Sequence, residues 1–144
     1  TAKQIGVKSR LDPRQSIFGG ARYLQYIEQK LPERIQQPDR LWLTLAGYNV
    51  GFGHLEDARI LTQRLGGNPD KWSDVKQHLP KLSLEKWYKT LKRGYARGQE
   101  PVNYVDNIRA YYELLNWQLA KHESAPTPGA SKRPHALSIA PRPL

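Results

Sequence analysis

The sequence contains no cysteine and no methionine among its 144 residues. Without cysteine the chain can form no disulfide framework, no cysteine-based zinc site and no thiol nucleophile. The chain begins at Thr1 without an initiator methionine, so we expect a piece of a longer polypeptide or a processed product. No apolar run approaches the roughly 18 residues of a membrane-spanning helix, and no signal peptide is recognisable.

Acidic residues are scarce, with 13 Asp and Glu against 23 Lys and Arg, which gives a net charge of +10. Such an excess favours an anionic partner, either nucleic acid, acidic lipid or an acidic polymer. Residues 121–144 lack aromatic residues and hold five of the eleven prolines, with a net charge of +3. This segment cannot bury enough apolar surface to offset its ordering entropy. We therefore predict a folded domain over residues 1–120 and a disordered, Pro-rich basic tail over 121–144.

Strand-like alternation is absent, and helical spacing of apolar residues dominates. Asp12-Pro13 predicts a helix start, and further helices are predicted from Asp39 to the glycines after Val50, over 54–65, before Pro80, and over about 101–120. Residues 81–98 form the most basic stretch and are predicted to end in a loop. Short helices with Gly or Pro in their connections favour an all-α, compact orthogonal bundle. The residues predicted to face inward are, helix by helix, Ile17, Ala21, Leu24, Ile27 and Leu31; Trp42, Leu45 and Asn49, with Leu41 and Tyr48 beside them; Leu55, Ala58, Leu61 and Leu65; Trp72, Val75 and Leu79; and Tyr104, Ile108, Tyr111, Leu115 and Leu119, widened by Val105 and Tyr112.

The strongest local feature is the segment 45–53, in which Tyr48 and Asn49 precede the glycines Gly51 and Gly53. Glycine lets another chain or a ligand approach the backbone closely. The asparagine amide is both donor and acceptor, which suits a ligand with hydroxyl and acetamido groups. A purely structural interpretation is also open, in which Gly51 caps the helix, Asn49 is a satisfied core amide and Tyr48 packs.

A second feature is Glu100-Pro101-Val102-Asn103-Tyr104, which opens the last predicted helix. Its carboxylate is favoured at a helix N-terminus, and Glu100 and Tyr104 lie four residues apart on one face. The alternative is a capping acid with a core tyrosine. Trp42, Trp72, Trp87 and Trp117 could stack on a ligand, but aromatic residues at helical spacing are more often core residues.

Together these residues resemble a known family. Leu45-Ala46-x-Tyr48-Asn49-x-Gly51 resembles the Ala-Tyr-Asn-x-Gly motif of the lysozyme-like lytic transglycosylases of the soluble-Slt type, and Glu100-x-x-x-Tyr104-Val105 resembles their later Glu-Thr-x-x-Tyr-Val motif. Residues 12–24 are similar to the helix after the family's catalytic motifs, and residues 1–7 to the end of its Gly-Leu-Met-Gln…Thr-Ala segment. The span 66–82 resembles a membrane-bound branch of the family. Pro101 departs from the pattern, since the family has Thr there.

The resemblance implies a lysozyme-like fold, of which residues 1–120 form the C-terminal part of the transglycosylase domain. It implies non-hydrolytic cleavage of the β-1,4 bond between N-acetylmuramic acid and N-acetylglucosamine in peptidoglycan, giving 1,6-anhydromuropeptides. The family's catalytic glutamate, which is followed by Ser, is expected upstream of Thr1, so this fragment is expected to be inactive alone. Tyr48, Asn49, Glu100 and Tyr104 are then the predicted substrate-binding residues. No glutamate within the chain is expected to replace this catalytic acid. Those on helix bodies or helix ends are expected to be solvated surface charges: Glu28, Glu33, Glu56, Glu85 and Glu113.

By the same resemblance we expect peptidoglycan glycan strands as the partner, no nucleic acid, a monomer, no metal or other cofactor, and a location on the periplasmic face of the outer membrane. A membrane would be reached only through a missing upstream anchor. The histidines lack a ligand spacing such as His-Glu-x-x-His and are interpreted as surface residues: His54, His78, His122 and His135. Two alternatives stay open. One is a basic helical nucleic-acid-binding module, favoured by the basic run with Trp87, Tyr88 and Tyr95, and the other is a non-catalytic murein-binding domain.

Overall fold

The computed structural model describes residues 13–124, and these residues are helical with no strand. This confirms the predicted all-α class. The helices are α1 (Pro13–Lys30), α2 (Asp39–Val50), α3 (Phe52–Arg64), α4 (Trp72–His78), α5 (Glu85–Tyr88) and α6 (Gln99–Ser124), with a 3-10 helix (Leu79–Ser83) between α4 and α5. Residues 1–12, with the predicted Asp12 cap, and the predicted tail from residue 125 onward lie outside the described residues. No helix over residues 13–124 is both long and apolar enough to span a bilayer.

The chain divides after Tyr111 into two units, which are described separately. In the first unit, α2 packs between α1 and α3, and α3 packs on α4 and the 3-10 helix. Most of the predicted inward positions of α2 to α4 are buried, which confirms the helical period there. Leu41 and Leu65 are exposed at 40% and 42%, so their predicted inward position is wrong. The side chains at the centre of this core are Ile27, Leu31, Leu43, Leu55, Leu61, Val75, Leu79, Leu82 and Val105.

Helix α1 begins at Pro13, as the Asp12-Pro13 pair predicted. Its second half is buried at Ile27 and Leu31, but Ile17 is 71% exposed and Ala21 is exposed as well. The prediction that Ile17 and Ala21 face the core is therefore wrong. The helical period is correct, but the face of α1 that packs on α2 is that of Gly20, Tyr23 and Ile27, and Ile17 and Ala21 lie outside it.

A cluster of charges around Asp70 links the α1–α2 connection and the α3–α4 connection to helix α3. The Arg34 guanidinium donates from Nε to Asp70 Oδ2 at 2.5 Å, and Arg59 donates from Nη2 to Asp70 Oδ1 at 2.6 Å. Arg59 is buried and also donates to the Pro69 carbonyl at 2.9 Å and to Glu56 at 2.6 Å. Burial by itself raises the pKa of the Asp70 carboxyl, but the hydrogen bonds from both arginines outweigh this effect and hold the pKa below its usual value.

The segment between α5 and α6 was predicted as a loop, and it is fastened to the core at three points. The buried Asp57 carboxylate of α3 accepts the Arg93 amide at 2.7 Å. The Ala96 amide donates to the Leu82 carbonyl at 3.1 Å. Gly98 is buried so closely against the 3-10 helix that an added Cβ would lie 1.7 Å from the Leu79 carbonyl oxygen. The loop is therefore a fixed part of the fold.

The second unit, in its described residues 112–124, is the end of α6, which continues four residues past the predicted end at Ala120. Its apolar side chains are all about half exposed, including Tyr112 at 56% and Leu115 and Leu119 at 53% each. Tyr111, the last residue of the first unit, is exposed too. The prediction that these four residues form a buried stripe is wrong, because apolar residues at helical spacing mark one face of a helix but do not show that another element covers it.

Candidate functional site

The end of α2 places Tyr48 and Asn49 on its last turn. Gly51 has a φ of +91°, a conformation that favours glycine, and its amide donates to the Gly47 carbonyl at 2.9 Å. The chain turns there directly into α3, so Gly51 caps α2 as predicted. Asn49 is exposed, and the interpretation of Asn49 as a core amide is therefore wrong.

Asn49 and Glu100 line the same cavity, which has a volume of about 300 Å³. The cavity gathers the end of α2, the first turn of α3, the loop before α6 and the start of α6. Its other lining residues are Val50, His54, Tyr95, Ala96 and Arg97. Two residues singled out from separate motifs are thus brought together, while their role in binding substrate stays a prediction.

Glu100 is an exposed carboxylate that already has a partner. Arg97 Nη1 donates to Glu100 Oε1 at 3.3 Å, and the two side chains are 75% and 61% exposed. The hydrogen bond to Glu100 raises the pKa of Arg97. A general acid of a glycosidase lies in a partly apolar pocket, whereas Glu100 is open to solvent and hydrogen-bonded to a guanidinium. Glu100 is therefore suited to accept hydrogen bonds rather than to donate a proton in catalysis.

Tyr48 and Tyr104 meet in a cluster of tyrosines beside this cavity. The Tyr48 ring centroid lies 5.7 Å from that of Tyr23 in α1, and an added Cβ at Gly20 would lie 3.1 Å from the Tyr48 hydroxyl. Burial, together with the nearby Tyr48 phenol, raises the pKa of Tyr104. Burial does the same for the pKa of Tyr23, with the phenols of Tyr26 and Tyr48 adding to the effect. The cluster joins α1, α2 and α6 and fixes the end of α2 that carries Asn49.

The sequence interpretation missed two cavity residues, His54 and Tyr95. His54 was interpreted as a surface residue, but its Nδ1 atom is buried without a hydrogen-bond partner. Tyr95 is 56% exposed, and its ring is held edge-on by Tyr88, with centroids 5.9 Å apart and planes at 87°. One signal was available, because His54 follows Gly53 at the end of the glycine-rich motif.

The four tryptophans do not line the cavity. Trp72 is buried in the core. Arg109 lies over the Trp42 ring at 5.2 Å and Lys86 over the Trp87 ring at 4.8 Å, while Trp117 belongs to the second unit. In the described part of the chain no three His, Asp or Glu side chains cluster closely enough to hold a metal ion.

Comparison with known proteins points in one direction. A family profile described as "Transglycosylase SLT domain" matches residues 1–70. The chain is 57% identical over 133 residues to "Membrane-bound lytic murein transglycosylase F" of Saccharophagus degradans. The aligned residues cover 86% of this chain and 26% of that protein. It is 52% identical over 153 residues to the protein of the same name from Hahella chejuensis, covering 100% and 30%, and 59% identical over 117 residues to that of Pseudomonas fluorescens, covering 81% and 24%.

The chain thus spans only 24–30% of the length of these relatives. Their shared name is that of a membrane-bound lytic transglycosylase, in agreement with the resemblance of the span 66–82. With the family profile over residues 1–70 and identities of 52–59% to these relatives, the chain belongs to the SLT transglycosylase family.

Proposed function

We propose that this chain is part of a lytic murein transglycosylase, which cleaves the β-1,4 bond between N-acetylmuramic acid and N-acetylglucosamine and releases 1,6-anhydromuropeptides. The observation that carries the proposal is the shared cavity of Asn49 and Glu100. These residues come from two separate motifs of the family, in a chain 52–59% identical to proteins named for this activity.

The reaction requires one carboxylic acid that works twice. It protonates the glycosidic oxygen as the bond breaks, and as a carboxylate it then removes the proton from the muramyl 6-hydroxyl. That hydroxyl closes on the anomeric carbon, so no water is added and no carboxylate nucleophile is needed, unlike in an ordinary retaining glycosidase. We assign this acid to the family's glutamate upstream of Thr1.

The residues of the cavity have the chemistry to hold the sugar for this step. The Asn49 amide, exposed on the last turn of α2, donates to and accepts from an acetamido group or a hydroxyl. Glu100, hydrogen-bonded to Arg97, accepts a hydrogen bond from a sugar hydroxyl in the same cavity. Tyr48 and Tyr104 support the end of α2 from behind, which keeps Asn49 in place.

The chain alone should have no activity. Glu100 is exposed and paired with a cation, and Glu56 is occupied by the buried Arg59, so neither has the apolar surroundings of a catalytic acid. We further propose that the protein acts as a monomer on the periplasmic face of the outer membrane, without metal or nucleic acid. The net charge of +10 suits the carboxylates of murein peptide stems and lactyl groups.

The test is product analysis by mass spectrometry after incubation of purified murein with the full-length protein and, separately, with this chain. We expect 1,6-anhydro products, each one water lighter than the hydrolytic product, from the full-length protein only. Reducing-end products from the full-length protein would replace the lytic mechanism by hydrolysis. Anhydro products from the chain alone would contradict the assignment of the acid to the upstream segment.

A further inference from the structure

Beyond Asn49 and Glu100, the cavity wall includes two ring-bearing side chains that the family motifs do not contain. His54 lies in the first turn of α3, and Tyr95 lies in the loop before α6. They lie far apart along the chain, and the fold places both on the same cavity of about 300 Å³. Neither has a role in the function proposed above.

We propose that Tyr95 and His54 form a saccharide-binding subsite in this cavity. Tyr95 offers its ring face to the C–H face of a pyranose, and His54 donates an N–H to a hydroxyl or acetamido oxygen of the same sugar. This inference rests on the proposed function, because it takes the ligand of the cavity to be a murein glycan strand.

Tyr95 has the properties of a prepared stacking platform. Its ring is 56% exposed, yet the edge contact with Tyr88 fixes its orientation. The adjacent amide of Ala96 is anchored on the Leu82 carbonyl at 3.1 Å. A sugar that stacks on Tyr95 therefore does not have to order a mobile side chain first, which lowers the entropic cost of binding.

His54 has one ring nitrogen that is closed off from solvent and from hydrogen-bond partners. Its Nδ1 is buried and has no hydrogen-bond partner. A proton on Nδ1 would bury an unpaired N–H, which is costly, so the ring carries its proton on Nε2. In this tautomer Nε2–H is the donor of the imidazole, and in the proposed subsite it makes the hydrogen bond to the sugar.

The experiment is steady-state kinetics of the full-length protein on peptide-free glycan strands, with release of anhydro ends as the readout and thermal unfolding measured for every variant. Tyr95→Ala should raise KM about tenfold with a smaller change in kcat, as expected for lost binding energy. Tyr95→Phe keeps the ring and should stay within about twofold of the original KM. Tyr112→Ala is the matched control, because Tyr112 is also 56% exposed but does not line the cavity.

For the histidine, His54→Ala should raise KM about tenfold, and His54→Gln, which keeps a side-chain donor, should recover most of this loss. His78→Ala is the control, since His78 does not line this cavity. If the unmutated full-length protein releases no anhydro products, the proposed function itself is refuted. Normal anhydro products with an unchanged KM in Tyr95→Ala and His54→Ala would overturn the subsite alone. A KM rise that only follows a lower melting temperature would equally overturn it.

Discussion

Replacement of Gly98 by alanine tests how firmly the loop before α6 is fixed. An added Cβ would lie 1.7 Å from the Leu79 carbonyl oxygen and 2.3 Å from its carbon, whereas ordinary contacts begin at 3.4 Å. The loop backbone must therefore move away by more than an ångström, because the atoms that the Cβ would meet belong to the backbone and no side-chain rotation can make room. The movement separates the Ala96 amide from the Leu82 carbonyl.

We expect Gly98→Ala to lower the free energy of unfolding by about 2–4 kcal/mol, from overpacking and a lost hydrogen bond together. For a domain of this size that is a fall in melting temperature of roughly 10–20 °C, measured by circular dichroism. Gly94→Ala is the matched control in the same loop. Gly94 has a φ of +78° but nothing within 4 Å of an added Cβ, so it should lose only about 1–2 kcal/mol through backbone strain. Equal stability of the two variants would refute the close packing of this loop.

Three further predictions concern a buried carboxylate, an ion pair and the candidate site. Asp57→Ala leaves a loop amide unpaired and should cost about 1.5–3 kcal/mol in urea unfolding, whereas Asp106→Ala, at a half-exposed ion pair, should cost less than about 1 kcal/mol. The depressed pKa of Asp70 stabilises the folded protein. This contribution is complete above the pKa of the carboxyl in the unfolded chain, about 3.9, and is lost as the pH falls through the lower pKa of the folded protein. The melting temperature should therefore fall steeply below about pH 4, and less steeply in Asp70→Asn. In the full-length protein, Asn49→Ala should lower kcat/KM about tenfold without changing the melting temperature, while Asn103→Ala, on the exposed side of α6, should change neither; a lower melting temperature alone would make Asn49 a structural residue.

Periodicity predicted the fold well where a helix is covered along its length. In α3, Leu55, Ala58 and Leu61 recur at helical spacing and are all buried, because α2, α4 and the 3-10 helix pack on that helix. The same reasoning failed at Ile17 and Leu119, which are exposed. A helical pattern reports that one face is apolar, but it does not report which neighbours cover that face.

The candidate site was predicted in part for a similar reason. Asn49 and Glu100 were recognisable because each lies in a short motif at a helix end, where the local sequence sets the geometry. Tyr95 was not recognisable, because its place on the cavity depends on long-range contacts: the Asp57–Arg93 hydrogen bond and the close packing of Gly98. The buried Nδ1 of His54 likewise depends on how α3 packs, and sequence spacing does not reveal it.

The central claim is that the cavity between Asn49 and Glu100 holds a murein sugar. A crystal structure of the full-length protein with a bound disaccharide product, N-acetylglucosaminyl-1,6-anhydro-N-acetylmuramic acid, tests it most directly. We predict electron density for a sugar ring within hydrogen-bond distance of the Asn49 amide and the Glu100 carboxylate. A product bound at another surface, with this cavity filled only by water, would contradict the account.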